Sequence, residues 1–188
     1  MSDNKSINMY NLDITTLIAC VSDITNDSTI ATRFGKIDAW KERNASVYHQ
    51  IMDELNDPLL PKLKEMFKDK ILVATRKAVD KTFEIIKSLG SSYEKKRLDD
   101  FLKTVTVIPD DPSDTFLVLT GKNWTDYNKS VFGTSHKLKI PLITGNLALY
   151  SIILNDMLIE DLDVTVHRAR CFVGEKHNVS NEIAFGNI

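Results

Sequence analysis

The sequence predicts a three-layer α/β fold, in which about five mainly parallel strands form a sheet with helices on both faces. Short apolar or β-branched runs recur along the chain, and a helical pattern of apolar residues separates each run from the next. Parallel neighbours in a sheet require such a crossover segment, which is usually a helix. The chain has 188 residues, a length that supports one hydrophobic core rather than two.

The strands follow from the apolar runs, and polar segments set their limits. The expected strands lie at residues 9–12, 71–74, 104–108, 139–144 and 164–168. A short apolar helix is expected after the first strand, and the polar stretch 22–35 is expected to be a loop. A helix from Asp38 should end before Pro58, because a proline disfavours the helical conformation in the residue that precedes it. Another helix is expected at 61–67.

The later helices are predicted from their apolar faces and their starts. The helix after the second strand is expected to present Val79, Phe83 and Ile86 on its inward face. Asp111 and Pro112 have the pattern of a helix start, with an acidic cap followed by proline at the first position. Further helices are expected at 93–103 and 147–154.

The ends of the chain and its composition indicate an intracellular protein. We expect a flexible N-terminus at 1–8, the folded domain at 9–173 and a mobile C-terminal tail at 174–188. No run approaches the roughly 18 apolar residues of a membrane helix, and the polar start lacks the features of a secretion signal. We therefore expect the cytoplasm, the nucleus or both, with no membrane partner. Cys20 and Cys171 are expected to be reduced and mostly buried. The oligomeric state is left open.

Polar residues follow the carboxyl end of every predicted strand. They are Asp13, Thr75 with Arg76, Asp110 with Asp111, Gly145 with Asn146, and His167 with Arg168. In an open parallel sheet, ligands bind beyond these ends of the strands. A functional site is therefore expected at this edge of the sheet.

Each of these residues also has a structural alternative. Asp13 could simply cap the following helix, and for Asp111 a capping role is favoured over ligand binding. Asp114 could equally offset a helix dipole, whereas Asp110 has no capping duty and favours function. Arg76 shares a helical face with the inward residues, so we expect it to pair with Asp13 or with an acid of the loop 110–114. The alternative is an arginine whose charged end reaches solvent.

Two segments resemble PIN domains, a class of ribonucleases. The segment 10–18 resembles the opening PIN strand, where an Asp is followed two places on by a small polar residue, here Asp13 and Thr15. The segment 142–146 resembles the PIN strand that ends in Thr-x-Asp or Thr-x-Asn. With further phrases at 68–70, 107–113 and 132–134, residues 9–173 are similar to an uncharacterised eukaryotic family of unknown function with a PIN-like fold.

The resemblance implies a metal-dependent ribonuclease site. PIN ribonucleases hold Mg²⁺ or Mn²⁺ with a cluster of carboxylates, and the metal activates water to attack an RNA phosphodiester. The implied catalytic residues are Asp13, Asp110, Asp114 and Asn146. Asp13 and Asp110 would be the metal ligands, so Mg²⁺ or Mn²⁺ is the implied cofactor.

Three positions depart from the PIN pattern. Arg76 stands where a PIN domain offers an inward helix acid, and it would repel a divalent cation. His136, expected in a loop, stands where another acid could be supplied, and Asn146 replaces an Asp. Whether the domain is an enzyme is therefore left open, and impaired catalysis is favoured.

The expected function is binding of RNA or an RNA–protein assembly without efficient cleavage. The alternatives are an active Mg²⁺- or Mn²⁺-dependent ribonuclease that uses Asp13 and the loop 110–114, and a protein-interaction module. A net charge of −2 excludes a strongly basic nucleic-acid-binding domain but allows a local basic rim. The candidate binding residues are Thr15, Arg76, His136, Lys137, Lys139, Arg168 and Arg170, with Trp124 and Tyr127 as candidates for base stacking.

Overall fold

The computed structural model describes residues 8–155, 159 and 161–174, and its centre is a five-stranded parallel sheet flanked by helices. The strands are β1 (Met9–Leu12), β2 (Ile71–Thr75), β3 (Val105–Ile108), β4 (Leu142–Thr144) and β5 (Val164–Val166). Their order is β3-β2-β1-β4-β5, and every neighbouring pair is parallel. The predicted α/β fold class and the central position of β1 are therefore confirmed.

Helices connect the strands. They are α1 (Ile14–Val21), α2 (Asp23–Asn26), α3 (Asp38–Arg43), α4 (Ala45–Asn56), α5 (Leu59–Phe67), α6 (Arg76–Leu89), α7 (Ser92–Leu102), α8 (Asp114–Leu117), α9 (Asp126–Leu138) and α10 (Leu147–Ile153). The expected loop 22–35 contains α2 and a 3₁₀ turn at Ile30–Thr32. The single helix expected from Asp38 is interrupted at Asn44, whose side chain accepts a hydrogen bond from Val47 N at 3.1 Å and so caps α4.

Two groups of buried side chains stabilise the fold. The main core lies around the sheet, where Leu12, Leu142 and Ile143 have no exposed surface. A smaller cluster lies under α2, α3 and α4 and is centred on Trp40, which is fully buried and donates from Nε1 to the carbonyl of Ile30 at 2.8 Å. Both groups follow from burial of apolar surface on one face of each element.

The segment before α8 differs from the prediction. α8 begins at Asp114, with Ser113 at its N-cap, so the helix start predicted at Asp111 and Pro112 is wrong. The segment is held along α9 instead, because Asp111 N donates to Thr134 Oγ1 at 2.9 Å and Ser113 N donates to the Gly133 carbonyl at 3.1 Å.

Gly133 allows this close packing of α9. A Cβ atom at this position would lie 2.7 Å from Pro112 Cβ and 2.8 Å from Phe116 Cβ.

His136 lies in the last turn of α9, so its predicted place in a loop is wrong. α9 ends at Leu138, and its C-cap residue Lys139 has a left-handed backbone, so β4 starts later than predicted.

The last described residues, Val173 and Gly174, are held in place by hydrogen bonds to the buried carboxylate of Glu94. Glu94 has no exposed surface, and it accepts hydrogen bonds from Val173 N at 3.1 Å and Gly174 N at 3.4 Å. Burial raises the pKa of this carboxyl, and the carboxylate of Asp23 adds to the effect. Most of the expected flexible ends, residues 1–7 and 175–188, lie outside the described residues.

Both cysteines are free thiols, with Cys20 buried and Cys171 partly buried. Burial raises the pKa of Cys20 to about 12 and that of Cys171 to about 11. Within the described part of the chain, none of the helices has the length and apolar character needed to cross a membrane.

Candidate functional site

The strand order places a crossing point of the chain between β1 and β4. From β1 the chain continues to β2 and β3 on one side, and it then returns to β4 and β5 on the other. Parallel α/β sheets bind ligands in the crevice that this reversal creates beyond the strand ends. The residues at that point are Asp13 and Thr15 after β1, and Thr144 to Asn146 at the end of β4.

Asp13 lies at the centre of a dense hydrogen-bond network. Its side chain is almost fully buried, with the residue 2% exposed. Oδ1 accepts from Ile14 N at 2.7 Å and from the Tyr127 hydroxyl at 2.6 Å. Oδ2 accepts from the hydroxyls of Thr15 at 2.9 Å and Thr144 at 2.7 Å. Protein donors thus occupy both oxygens, and Asp13 also caps α1.

Tyr127 contributes to this network from the first turns of α9. Its hydroxyl donates to Asp13 and accepts from Ile14 N at 3.2 Å. Burial and the neighbouring Asp13 carboxylate raise the pKa of the phenol well above its ordinary value, and the Asp110 carboxylate adds a smaller effect. The Tyr127 hydroxyl therefore stays protonated, and it is a fixed donor to Asp13.

The end of β4 completes the network. Thr15 Oγ1 accepts from Gly145 N at 2.6 Å, and Thr144 Oγ1 accepts from Asn146 N at 3.0 Å. The side chain of Asn146 accepts from Leu149 N at 3.1 Å and caps α10. Asn146 thus has the structural role that a polar residue before a helix commonly has.

His167, at the end of β5, lies against this network. Its Nε2 is 2.9 Å from Thr16 Oγ1, and its Nδ1 is 2.9 Å from the carbonyl of Arg168. Since a carbonyl only accepts, Nδ1 carries the hydrogen of that pair. Burial lowers the pKa of His167, although the Arg168 carbonyl and the Asp13 carboxylate oppose the shift. A Cβ at Gly145 would approach His167 Cε1 to 3.0 Å.

Asp110 occupies the β3 end of the same sheet edge. It accepts from Lys77 N at 3.2 Å, at the start of α6, and from the hydroxyl of Ser130 on α9. A carboxylate in this position is favoured by the dipole of α6. Asp110 is partly exposed, whereas Asp114 lies exposed in the first turn of α8.

The prediction that Arg76 points inward and pairs with an acid is wrong. Arg76 is exposed, and none of the ion pairs among the described residues involves it. It borders a cavity of about 410 Å³ together with Asp110 and the residues 107–109. Of the residues predicted to face inward on this helix, Val79 and Ile86 are buried, whereas Phe83 is 42% exposed. The buried face is therefore rotated away from Phe83, toward the fully buried Ala78 and Thr82.

Most other predicted RNA-binding cations are engaged with carboxylates. Lys137 pairs with Asp111, and Lys139 lies 3.7 Å from Asp161. Arg168 pairs with Asp53, and Arg170 pairs with Glu54 at 2.9 Å. His136 Nδ1 lies 2.8 Å from Ser113 Oγ. Trp124 is 9% exposed and packs edge-on against Phe116, so it belongs to the core rather than to a stacking surface.

The metal site implied by the PIN resemblance does not fit these residues. Within the described ranges, no group of three or more His, Cys, Asp or Glu side chains is placed to hold a metal ion. A metal at Asp13 would have to displace hydrogen-bond donors from a carboxylate that already accepts four of them. We therefore derive no chemical step through a metal at this position.

The structure also brings together residues that the sequence does not single out. Asp23 is 1% exposed and binds both Arg33 at 3.0 Å and Arg97 at 2.9 Å. Glu94 forms no ion pair with the described residues. Its oxygens instead accept backbone hydrogen bonds, including one from Asp23 N at 2.8 Å. The Ser91-x-x-Glu94 spacing of a capping box is the sequence signal that indicates part of this cluster.

The fold and this sheet edge define a three-layer α/β domain with a buried aspartate at its chain-crossing point. A family model described as protein of unknown function (DUF1308) matches residues 10–181. The chain belongs to that family, in agreement with the predicted membership of a family of unknown function. No solved structure matches the chain.

Proposed function

We propose that the domain is a PIN-like module that binds RNA without efficiently cleaving it. The observation that supports the absence of cleavage is the state of Asp13. A catalytic metal ligand needs free oxygen lone pairs, and Asp13 gives its lone pairs to four protein donors. The carboxylate of Asp110, at the β3 end of the same edge, also raises the pKa of Tyr127, but by less than Asp13 does.

The RNA-binding part of the proposal rests on a group of cations that we call the cationic rim, formed by Arg76, Lys77 and Lys129. Arg76 borders the 410 Å³ cavity beside Asp110, and the other two border an adjoining cavity of about 170 Å³. None of the three has a carboxylate partner among the ion pairs of the described residues. Lys129 Nζ donates to the carbonyl of Leu117 at 3.1 Å, which leaves its charge without a carboxylate partner. Cations of this kind at the rim of a groove favour contacts with phosphate.

One observation favours the alternative of an active ribonuclease. The outward position of Arg76 removes the charge that was expected to repel a divalent cation from Asp13. The experiment must therefore separate binding from cleavage.

Binding is tested with a fluorescent single-stranded RNA of about ten nucleotides, titrated at several salt concentrations. We expect the Arg76→Ala/Lys77→Ala variant to bind several-fold more weakly. Its salt dependence should fall by about one unit of slope for each lost phosphate contact. Lys87→Ala is the matched control, because Lys87 is an exposed cation at the opposite end of α6. Absence of binding by the wild type at low salt would favour the protein-interaction alternative.

Cleavage is tested with the same RNA and millimolar Mg²⁺ or Mn²⁺. We expect the wild type to remain at the background rate. Robust metal-dependent cleavage that is lost in Asp13→Asn would show that the domain is a working nuclease, and that Asp13 exchanges its protein donors for metal.

A further inference from the structure

A cavity separate from the Asp13 network lies between the end of β5 and the turn that joins α4 to α5. Its volume is about 460 Å³, within the range of roughly 300–1,000 Å³ that is typical of small-molecule sites. Leu59, Leu63, Met66 and Val166 supply its apolar wall. The charged and polar lining comes from Asp53, Asn56, Asp57, Lys62, His167, Arg168 and Arg170.

Arg170 is the unusual member of this lining. Its side chain is only 2% exposed, and a guanidinium is costly to bury without partners. Nε donates to Glu54 at 2.9 Å, and Nη1 donates to the carbonyl of Ala169 at 3.1 Å. Glu54 and the backbone carbonyls of Arg168 and Ala169 therefore hold a guanidinium rigidly at the wall of the cavity.

The other two cations of the lining lie at the exposed rim. Lys62 pairs with Asp57 at 2.5 Å, and both side chains are more than half exposed. Arg168 pairs with Asp53, and its side chain is 71% exposed. Exposed ion pairs of this kind contribute little free energy, so an anionic ligand can replace the acids at little cost.

We propose that this cavity binds a small organic anion, whose apolar body packs on Leu63 and Met66 and whose phosphate or carboxylate is held by Lys62, Arg168 and Arg170. The guanidinium groups suit both headgroups, because their planar donors match two oxygens at once. His167 lines the cavity, and its Nε2 lies 2.9 Å from Thr16 Oγ1, in the helix that follows β1. The site is independent of the proposed RNA binding, since Arg76, Lys77 and Lys129 line other cavities.

The experiment uses phenyl phosphate as the probe, with amide chemical shifts of the ¹⁵N-labelled chain as the readout. We expect a Kd of about 1 mM or tighter and shifts that concentrate at residues 166–170 and 53–63. Benzoate replaces the phosphate headgroup in a parallel titration. Equal affinity shows that any anion with an apolar body is accepted, and a preference for phenyl phosphate identifies a phosphate site. Inorganic phosphate and benzyl alcohol, which each lack one half of the probe, should bind at least tenfold more weakly.

Substitutions then locate the binding groups. Lys62→Ala/Arg168→Ala changes only exposed side chains and should weaken phenyl phosphate at least fivefold. Lys64→Ala, an exposed cation on the same helix that does not line this cavity, should leave the affinity unchanged. Glu54→Gln/Arg170→Met removes the buried pair together, so no uncompensated charge remains, and it should weaken binding at least tenfold. The proposal is overturned if 10 mM phenyl phosphate leaves residues 166–170 unshifted, or if both double variants bind like the wild type.

Discussion

Replacing Asp13 by alanine separates a structural role of this carboxylate from a catalytic one. The substitution leaves four donors without their acceptor. Ile14 N retains the Tyr127 oxygen at 3.2 Å, and the hydroxyls of Thr15 and Thr144, 3.3 Å apart, can bond to each other. The Tyr127 hydroxyl and one threonine proton remain unsatisfied, at about 1–3 kcal/mol each, and the lost helix cap adds about 1 kcal/mol. We therefore expect Asp13→Ala to lower the free energy of unfolding by about 3–7 kcal/mol.

Asp13→Asn should cost less. The amide keeps an oxygen for Ile14 N and Tyr127, and the threonine hydroxyls can rotate to accept from its NH₂ group, so we expect a loss of about 1–3 kcal/mol. The measurement is urea unfolding followed by circular dichroism, without added metal. Asp114→Ala is the control, because this exposed acid should change stability by no more than about 0.5 kcal/mol. Metal-binding acids in an empty site often destabilise the fold. An Asp13→Ala variant as stable as the wild type, or more stable, would refute the structural role.

Three further outcomes follow from the packing and the shifted groups. Gly133→Ala should destabilise the domain, because the new Cβ would lie 2.7 Å from Pro112 Cβ. The loss should exceed the advantage of about 1 kcal/mol that alanine has over glycine within a helix. Urea unfolding measures the change in the free energy of unfolding. Burial raises the pKa of Glu94 in the folded state, so folded protein binds more protons than unfolded chain above about pH 4.5. Its contribution to stability should therefore fall as pH rises through that folded pKa, and Glu94→Gln should remove this slope from unfolding curves measured between about pH 4.5 and pH 7. Cys20 and Cys171 should resist Ellman's reagent at pH 8 until urea unfolds the protein, because their raised pKa values suppress the reactive thiolate.

The strands could be predicted because each is a compact apolar run, but the orientation of Arg76 could not. The prediction placed Arg76 on the same face as Val79 and Phe83. The buried face of α6 is centred nearer Thr82, which places Arg76 roughly 100° away from that centre at 3.6 residues per turn. Side chains in a first helical turn also point back toward the N-terminus, beyond the end of the sheet. Helical spacing alone specifies a face only to within about one residue.

α9 was missed because its buried face lacks apolar periodicity. The buried positions include Ser130, Gly133, Thr134 and Ser135, whose small polar side chains carry no hydrophobic signal. These residues fit because the sheet and the segment before α8 offer partners: Ser135 Oγ accepts from the amide of Asn11 at 2.9 Å. The link between Tyr127 and Asp13 spans 114 positions, and local pattern cannot indicate a contact over that distance. The candidate capping role of Asp13 could be predicted, whereas its burial by Tyr127 could not.

The central place of β1 has a consequence for synthesis of the chain on the ribosome. β1 emerges first, yet the bond between Asp13 and Thr144, at its β4 side, joins residues 131 positions apart. At roughly 5–20 residues per second, that side of β1 has no native neighbour for on the order of ten seconds. During this interval a short apolar strand offers unpaired backbone groups to any other chain. Incorrect strand pairing of the nascent chain should therefore concentrate at Met9–Leu12. Slower translation after β1 should increase this incorrect pairing.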